Sequence, residues 1–311
     1  MNAGRRDAAA WARHGERGSL LALRVMAFIA VVCGRRVARA MLHPICVYFL
    51  LFAPQARRHS ARYLGRVLGR QPTLAERYRH LHAFASTVLD RVYLARGQLQ
   101  AFDLRLHGAE TMQALVDSGR GAVLLGAHFG SFEALHAVGA SRPGLRVAMA
   151  MFPDNARMIH GILQAVAPGS HLDVIAIGRP ESTLAVRDWL DGGGLVGMLA
   201  DRYLHDDGAR TALVELPFLG VPARFSEGPL RLAMLLRRPV VLMAAAFRGG
   251  HRYDVRFEPL ADFSNAPRDA AERERLTRTA LQAYVRRLEA LCREAPYNWF
   301  NFYDFWNEDA P

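Results

Sequence analysis

The chain has no lysine: its 40 basic residues are all arginine, set against 29 acids for a formal net charge of +11. Using arginine throughout is a matter of composition, but it removes one type of site. The glycine-rich turn at 192–194 is followed by no Lys-Ser/Thr pair, so it does not read as a phosphate-cradling loop. Cysteine is scarce as well. Cys33, Cys46 and Cys292 are odd in number and widely separated, which argues against a disulfide framework or a thiolate metal site and fits a reducing compartment. The histidines show no metal-ligand spacing, His80 with His82, His160, His171 and His205 included, so no metal is expected. A long uninterrupted apolar stretch is also missing. The longest run free of charged side chains, residues 40–56, spans 17 positions and contains His43, Pro44 and Gln55, short of the roughly 20 apolar residues that a spanning helix needs. Residues 1–18 are polar, carry charges of both signs and make a poor secretory signal.

What is present is a folded chain of 311 residues, 51% hydrophobic and 22% charged, long enough to bury a sizeable core. Its excess positive charge sits at one end. Residues 1–100 hold 17 arginines against Asp7, Glu16, Glu76 and Asp90, whereas residues 101–311 hold 23 against 25 acids. That first third is also the most apolar part of the chain, which suits an anionic membrane surface rather than nucleic acid. Residues 20–54 are expected to lie in the interface, with Arg24, Arg35, Arg36 and Arg39 at the headgroups. Two core helices of a soluble fold, or a spanning anchor, are the alternatives. Residues 55–95 read as helices with arginine on their exposed faces.

From about residue 101 short apolar runs alternate with helical spacing. Strands are expected at 102–106, 121–125, 145–151, 172–177, 195–200, 214–217, 240–246 and 253–257, with helices at 109–117, 131–138, 155–166, 181–191, 227–237 and 268–293. The fold class is therefore α/β: one continuous central mixed, largely parallel sheet flanked by helices over residues 101–311, preceded by a helical membrane-docking region over residues 1–100.

The segment most suggestive of chemistry is GAVLLGAHFGSFE, residues 121–133, where an apolar strand ends at small residues and delivers His128 just before Gly130 and a helix start. In open α/β sheets, sites gather there. On one regular helix His128 and Glu133 would point about 140° apart. They meet if His128 lies in a turn that Gly130 permits, with Glu133 accepting a bond from one imidazole nitrogen while the other faces substrate, a base of fixed tautomer. Gly126-Ala-His128-Phe-Gly130 also has the spacing of a nucleophile elbow with His in place of Ser, and Ser131 lies one residue outside it.

The motif His128-Phe-Gly-Ser-Phe-Glu133 resembles the His, four residues, then Asp or Glu signature of the bacterial lipid A biosynthesis acyltransferases, within the lysophospholipid acyltransferase superfamily. Further along, LVGMLADRY and LPFLGVPA, with Asp201, Phe218, Gly220 and Pro222, are similar to that family's strand, acidic turn and Pro-Phe-x-Gly-x-Pro block, and the likeness extends over most of the chain. At 151–155 Phe152 stands where relatives carry Arg before Asn155, so that role passes to Arg157 or Arg179. The string FSEGPLR at 225–231 looks like a glycerol-phosphate acyltransferase block that holds acceptor phosphate, although an ordinary helix start capped by Ser226 is the simpler reading. The tail YNWFNFYDFW at 297–306 matches a less characterised branch of the family.

The resemblance implies an O-acyltransferase at the cytoplasmic face of a bacterial inner membrane, peripheral or monotopic. It would move a fatty acyl chain from an acyl thioester, acyl carrier protein or alternatively coenzyme A, to a hydroxyl of a membrane lipid or glycolipid. His128 and Glu133 would be catalytic; Asn155, Arg157, Arg179, Asp201, Arg202, Glu227 and Arg231 would bind substrate; no cofactor is required. A lipid hydrolase and a non-catalytic lipid- or carrier-binding protein are the alternatives.

Overall fold

A computed structural model describes residues 4–140, 144–153, 157, 161, 172–178, 180–202 and 213–306. Helices come first. α1 (Gly4–Phe52) is broken at Gly34, whose φ of 82° and ψ of 165° are accessible to glycine and not to ordinary residues. α2 (Pro54–Leu68) starts on a proline, whose fixed φ suits a first helical turn, and stops at Gly69 in the left-handed region. α3 (Leu74–Leu94) opens with a reciprocal capping box between Thr73 and Glu76.

Ala30, Ala38, Leu42 and Cys46 form the buried stripe of α1 and α1 lies along α3. Arg35 grips the fully buried carboxylate of Asp90 on α3 with bonds of 2.8 and 2.9 Å, and the Tyr253 hydroxyl donates to the same group at 2.7 Å. A charge taken out of water needs such partners, and these tie α1 and α3 to the sheet. Other apolar residues of α1 face outward: Val32, Val37, Tyr48, Phe49, Leu51 and Phe52 are all exposed. Among the described residues no single helix is long and apolar enough to cross a membrane; Phe28–Phe52 with Pro54–Leu68 passes as a pair, bent by 94°.

Seven strands make the main sheet: β1 (Asp103–His107), β2 (Ala122–Gly126), β3 (Val147–Met151), β4 (Asp173–Ala176), β5 (Leu195–Leu199), β8 (Pro239–Phe247) and β9 (Arg252–Asp262), in the order β1-β9-β8-β2-β5-β3-β4. All neighbours run parallel except β8 and β9, so the sheet is mixed and mostly parallel, as expected from the sequence. It is not one continuous sheet, however. β6 (Leu213–Phe218) pairs with β7 (Val221–Ser226) in a separate antiparallel hairpin, and β7 is a strand that the sequence reading did not include, because Pro222 near its start speaks against a strand although Ala223, Arg224 and Phe225 alternate.

The helices α4 (Ala109–Asp117), α5 (Phe132–Ala140), α6 (Pro180–Asp191), α7 (Gly228–Leu235) and α8 (Ala270–Glu294) lie close to their expected places. The helix expected at 155–166 falls largely outside the described residues. Side chains alternate across the sheet and feed two cores: Val123 and Leu125 of β2 point to one, Ala122 and Leu124 to the other. α2, α6, α7, α8 and the hairpin cover the first face, and α1, α3, α4 and α5 the second. Every residue of β8 is buried, as a strand covered on both faces requires.

Candidate active site

β2 and β5 are parallel neighbours with Gly126 opposite Leu199. The second residue beyond each strand is therefore brought to the same place on the carboxyl edge of the sheet, and those residues are His128 and Asp201. His128 donates from Nδ1 to Asp201 Oδ1 at 2.9 Å, and its backbone N–H donates to Oδ2 at 3.1 Å. A third donor comes from the tail, the indole Nε1–H of Trp299, at 2.9 Å from Oδ2. The Asp201 side chain is fully buried while that of His128 is 35% exposed. Burial alone would raise the Asp201 pKa. The electrostatic attraction and hydrogen bond of His128, the nearby Arg202 charge and the Trp299 N–H outweigh it and hold the carboxyl below the usual carboxylate range.

The loop that carries His128 is held on two sides. Gly130 has φ 65°, and a Cβ there would collide with the Ala245 carbonyl of β8, so only glycine lets the chain turn this close to the strand. The Gly130 N–H donates to Asn298 O at 2.8 Å, the Ser131 N–H to Ala245 O at 2.9 Å, and the Phe300 N–H to His128 O at 3.0 Å. Asn298 is itself fixed to Phe247 of β8 through both ends of its amide, at 2.6 and 3.1 Å. Behind Trp299, the buried His80 of α3 donates from Nε2 to the Trp299 carbonyl at 2.9 Å while its Nδ1 takes the Ser60 hydroxyl at 2.8 Å. Burial pushes the His80 pKa down from 6.5 to about 4, partly opposed by that carbonyl bond, so the imidazole stays neutral.

The expected His128–Glu133 bond is not made. The turn at Gly130 aims the Nδ1 of His128 at the end of β5, and Glu133, in the first turn of α5, meets α3 instead. Its carboxylate lies 2.5 Å from the Arg91 Nε, an ion pair by proximity without an aligned hydrogen bond, and takes a long bond from the Ser131 hydroxyl at 3.4 Å. Ser131 is buried and its Oγ accepts the Ala134 N–H at 3.1 Å, the work of a helix N-cap, which leaves the elbow-serine alternative without support.

Asp201, expected among substrate-binding residues, is thus the partner of the histidine. Arg202 lies over the Tyr303 ring at 4.8 Å and donates to Phe300 O at 2.9 Å, pinning the tail. Glu227 and Arg231, expected to hold acceptor phosphate, are bound to each other at 2.9 Å and Glu227 also to Arg278 of α8 at 2.7 Å; Glu227 is fully buried. This is an ion triad between α7 and α8, and the Ser226 hydroxyl accepts the Gly228 N–H at its start. Arg157 is exposed, and Asn155 and Arg179 lie outside the described residues. Trp299 and Asn298 were missed as site residues; the density of aromatics at 297–306 was the signal that this segment is structural.

Because a carboxylate only accepts hydrogen bonds, Asp201 fixes the tautomer with the proton on Nδ1 and leaves the Nε2 lone pair of His128 available to take a proton. Among the described residues no group of histidine, cysteine and acidic side chains is arranged to hold a metal ion. A comparison with curated proteins returns no match. A family model described as bacterial lipid A biosynthesis acyltransferase matches residues 13–308, nearly the whole length, and the chain belongs to that family.

Proposed function

We propose that this protein transfers a fatty acyl chain from a carrier-bound thioester to the hydroxyl of a membrane lipid or glycolipid, with His128 as general base. The observation that carries the reading is the His128–Asp201 pair: a buried carboxylate at 2.9 Å orients an imidazole whose side chain is one-third exposed. Nε2 takes the acceptor hydroxyl proton as that oxygen bonds to the thioester carbonyl carbon. The carbon–sulfur bond then breaks, and the departing thiolate receives the proton from His128, so no acyl-enzyme forms. The N–H groups of Phe129, Gly130 and Ser131 are engaged by Ala127, Asn298 and Ala245. Oxyanion stabilisation is accordingly assigned to the first-turn N–H groups of α5, Phe132 and Glu133.

A second feature supports a lipid substrate. A narrow, almost wholly apolar crevice opens beside α5, between Leu124, Gly197 and Met243 of the sheet and Phe132, Leu135 and Gly139 of the helix. Its free room is about 40 Å³, so an acyl chain enters only as its flexible methionines move aside. The exposed apolar residues of α1 support docking at a membrane, which we assign to the cytoplasmic face of the inner membrane, and acyl carrier protein is the donor we favour.

The test is incubation of the protein with a labelled acyl thioester and total membrane lipid, followed by lipid mass spectrometry. A lipid gaining one acyl chain, abolished by His128→Ala, is expected. Free fatty acid without an acylated lipid would mean a hydrolase. Turnover that survives His128→Ala would remove the base.

A further inference from the structure

Six arginines, Arg57, Arg58, Arg62, Arg66, Arg70 and Arg77, line an open groove of about 810 Å³ on α2 and the start of α3. The periodicity explains the clustering: positions 58, 62 and 66 recur every fourth residue along one face of α2, while Tyr63, Leu64 and Val67 bury the opposite face. Several of the guanidinium groups are already oriented. Arg66 stacks on Trp306 at 4.0 Å, Arg57 donates to Leu50 O at 3.1 Å, Arg70 binds Glu76 at 2.6 and 3.0 Å, and Arg62 lies 3.8 Å from Asp304. The described lining of the groove holds six arginines and no acidic residue, and planar guanidinium forks match phosphate oxygens two at a time.

We infer that this groove is a docking site for the phosphate groups of anionic membrane lipids. The membrane is favoured over an acidic protein by what adjoins the groove. Pro54 belongs to its lining, and the turn of α1 just before it ends in Tyr48, Phe49, Leu51 and Phe52, which are 49–67% exposed. α2 leaves that apolar end at 94°. With the end of α1 among the acyl chains, α2 runs along the surface and its arginine face lies at the depth of the headgroups. The inference rests on the membrane-docking part of the proposed function and adds to it the lipid chemistry and the place where it is read.

Flotation of the full chain with phosphatidylcholine vesicles, with and without phosphatidylglycerol, tests it at low salt. Arg58→Gln with Arg77→Gln should weaken binding to phosphatidylglycerol vesicles about 30-fold. Arg105→Gln with Arg187→Gln removes the same charge outside the groove, from side chains 62% and 49% exposed, and should weaken it less than about 3-fold. Thermal melting of each variant checks folding. Equal losses in the two pairs would mean diffuse attraction and overturn the site. Groove variants that bind vesicles normally but lose acyl carrier protein would overturn the lipid assignment in favour of an acidic protein. Parent protein that floats with no vesicle would defeat the membrane docking itself. Flotation that needs Phe49 and Phe52 but not the groove would defeat only this inference.

Discussion

Replacing Asp201 by asparagine changes one atom type in the site, and the structure dictates which way the new amide turns. Two N–H donors, His128 backbone and Trp299 indole, converge on Oδ2, whereas Oδ1 meets only His128 Nδ1. The amide oxygen therefore takes the Oδ2 position, since an NH2 group there would face two donors. The NH2 group is left opposite His128 Nδ1 and donates to it, and the imidazole proton moves to Nε2. The nitrogen that should accept the substrate proton is then already protonated. A wrong tautomer in a comparable His–Asp arrangement costs about 10⁴-fold in turnover, or roughly 5 kcal/mol of barrier at 1.36 kcal/mol per decade. Folding suffers less: exchanging charged for neutral hydrogen bonds costs about 1–2 kcal/mol, so the protein should remain folded. Initial rates of acyl transfer, read by mass spectrometry of the acylated lipid, and urea denaturation separate the two effects. Glu133→Gln serves as the contrast and should cost less than about 10-fold. Asp201→Asn turning over within about 10-fold of the parent, or Glu133→Gln proving the more damaging, would refute the reasoning and return the orienting role to Glu133.

Trp299→Phe removes the third donor to Asp201 while keeping most of the ring packing; transfer should fall roughly 10- to 100-fold, the value of one N–H bond to a charged group, and the melting temperature should drop by several degrees with the transition still cooperative as the check that the variant folds. His80 makes the fold acid-sensitive. Its pKa drops from 6.5 to about 4 on folding, so the unfolded chain binds the proton first and stability is lost as pH falls between those values, by about 3 kcal/mol in all; urea midpoints at pH 7 and 4.5 should show this, and a flat profile would contradict it. In the crevice, Gly139→Leu should shift the product toward shorter chains, each excluded methylene being worth about 0.8 kcal/mol, or roughly 4-fold in preference. An unchanged chain-length profile would detach the crevice from the substrate.

Local patterns carried the sequence reading of β2, the turn at Gly130 and His128, because an apolar run, a glycine and a helix start are neighbours in the chain. The identity of the orienting acid was not local. Glu133 looked suitable because it is five residues from the histidine, yet Asp201, 73 residues away, is the one that strand register delivers. Knowing that β2 pairs with β5, and with Gly126 opposite Leu199, would have predicted it. Trp299 is 98 residues from Asp201 and arrives only because the tail crosses behind the site, a relation that no periodicity encodes. The same limit applied to Glu227 and Arg231. A motif likeness offered a phosphate site, and the third member of the triad, Arg278, lies 51 residues on in a helix whose docking angle is a tertiary fact. The arginine stripe of α2 was legible from its spacing, but Arg62 and Arg66 are half-buried rather than exposed, and the concavity came from where α3 begins.

The tail from Asn298 to Phe300 completes the site from the far end of the sequence. A nascent chain that has emerged only through α8 already carries the imidazole and the carboxylate, but it has no indole or asparagine to hold them in place. On the proposed mechanism, catalytic competence therefore arrives late in synthesis, after the strands that bear the histidine and the carboxylate have been made. On the same mechanism, a protease that clipped this strap would silence the enzyme and at the same time open the core in which Trp299, Phe300 and Phe305 are buried.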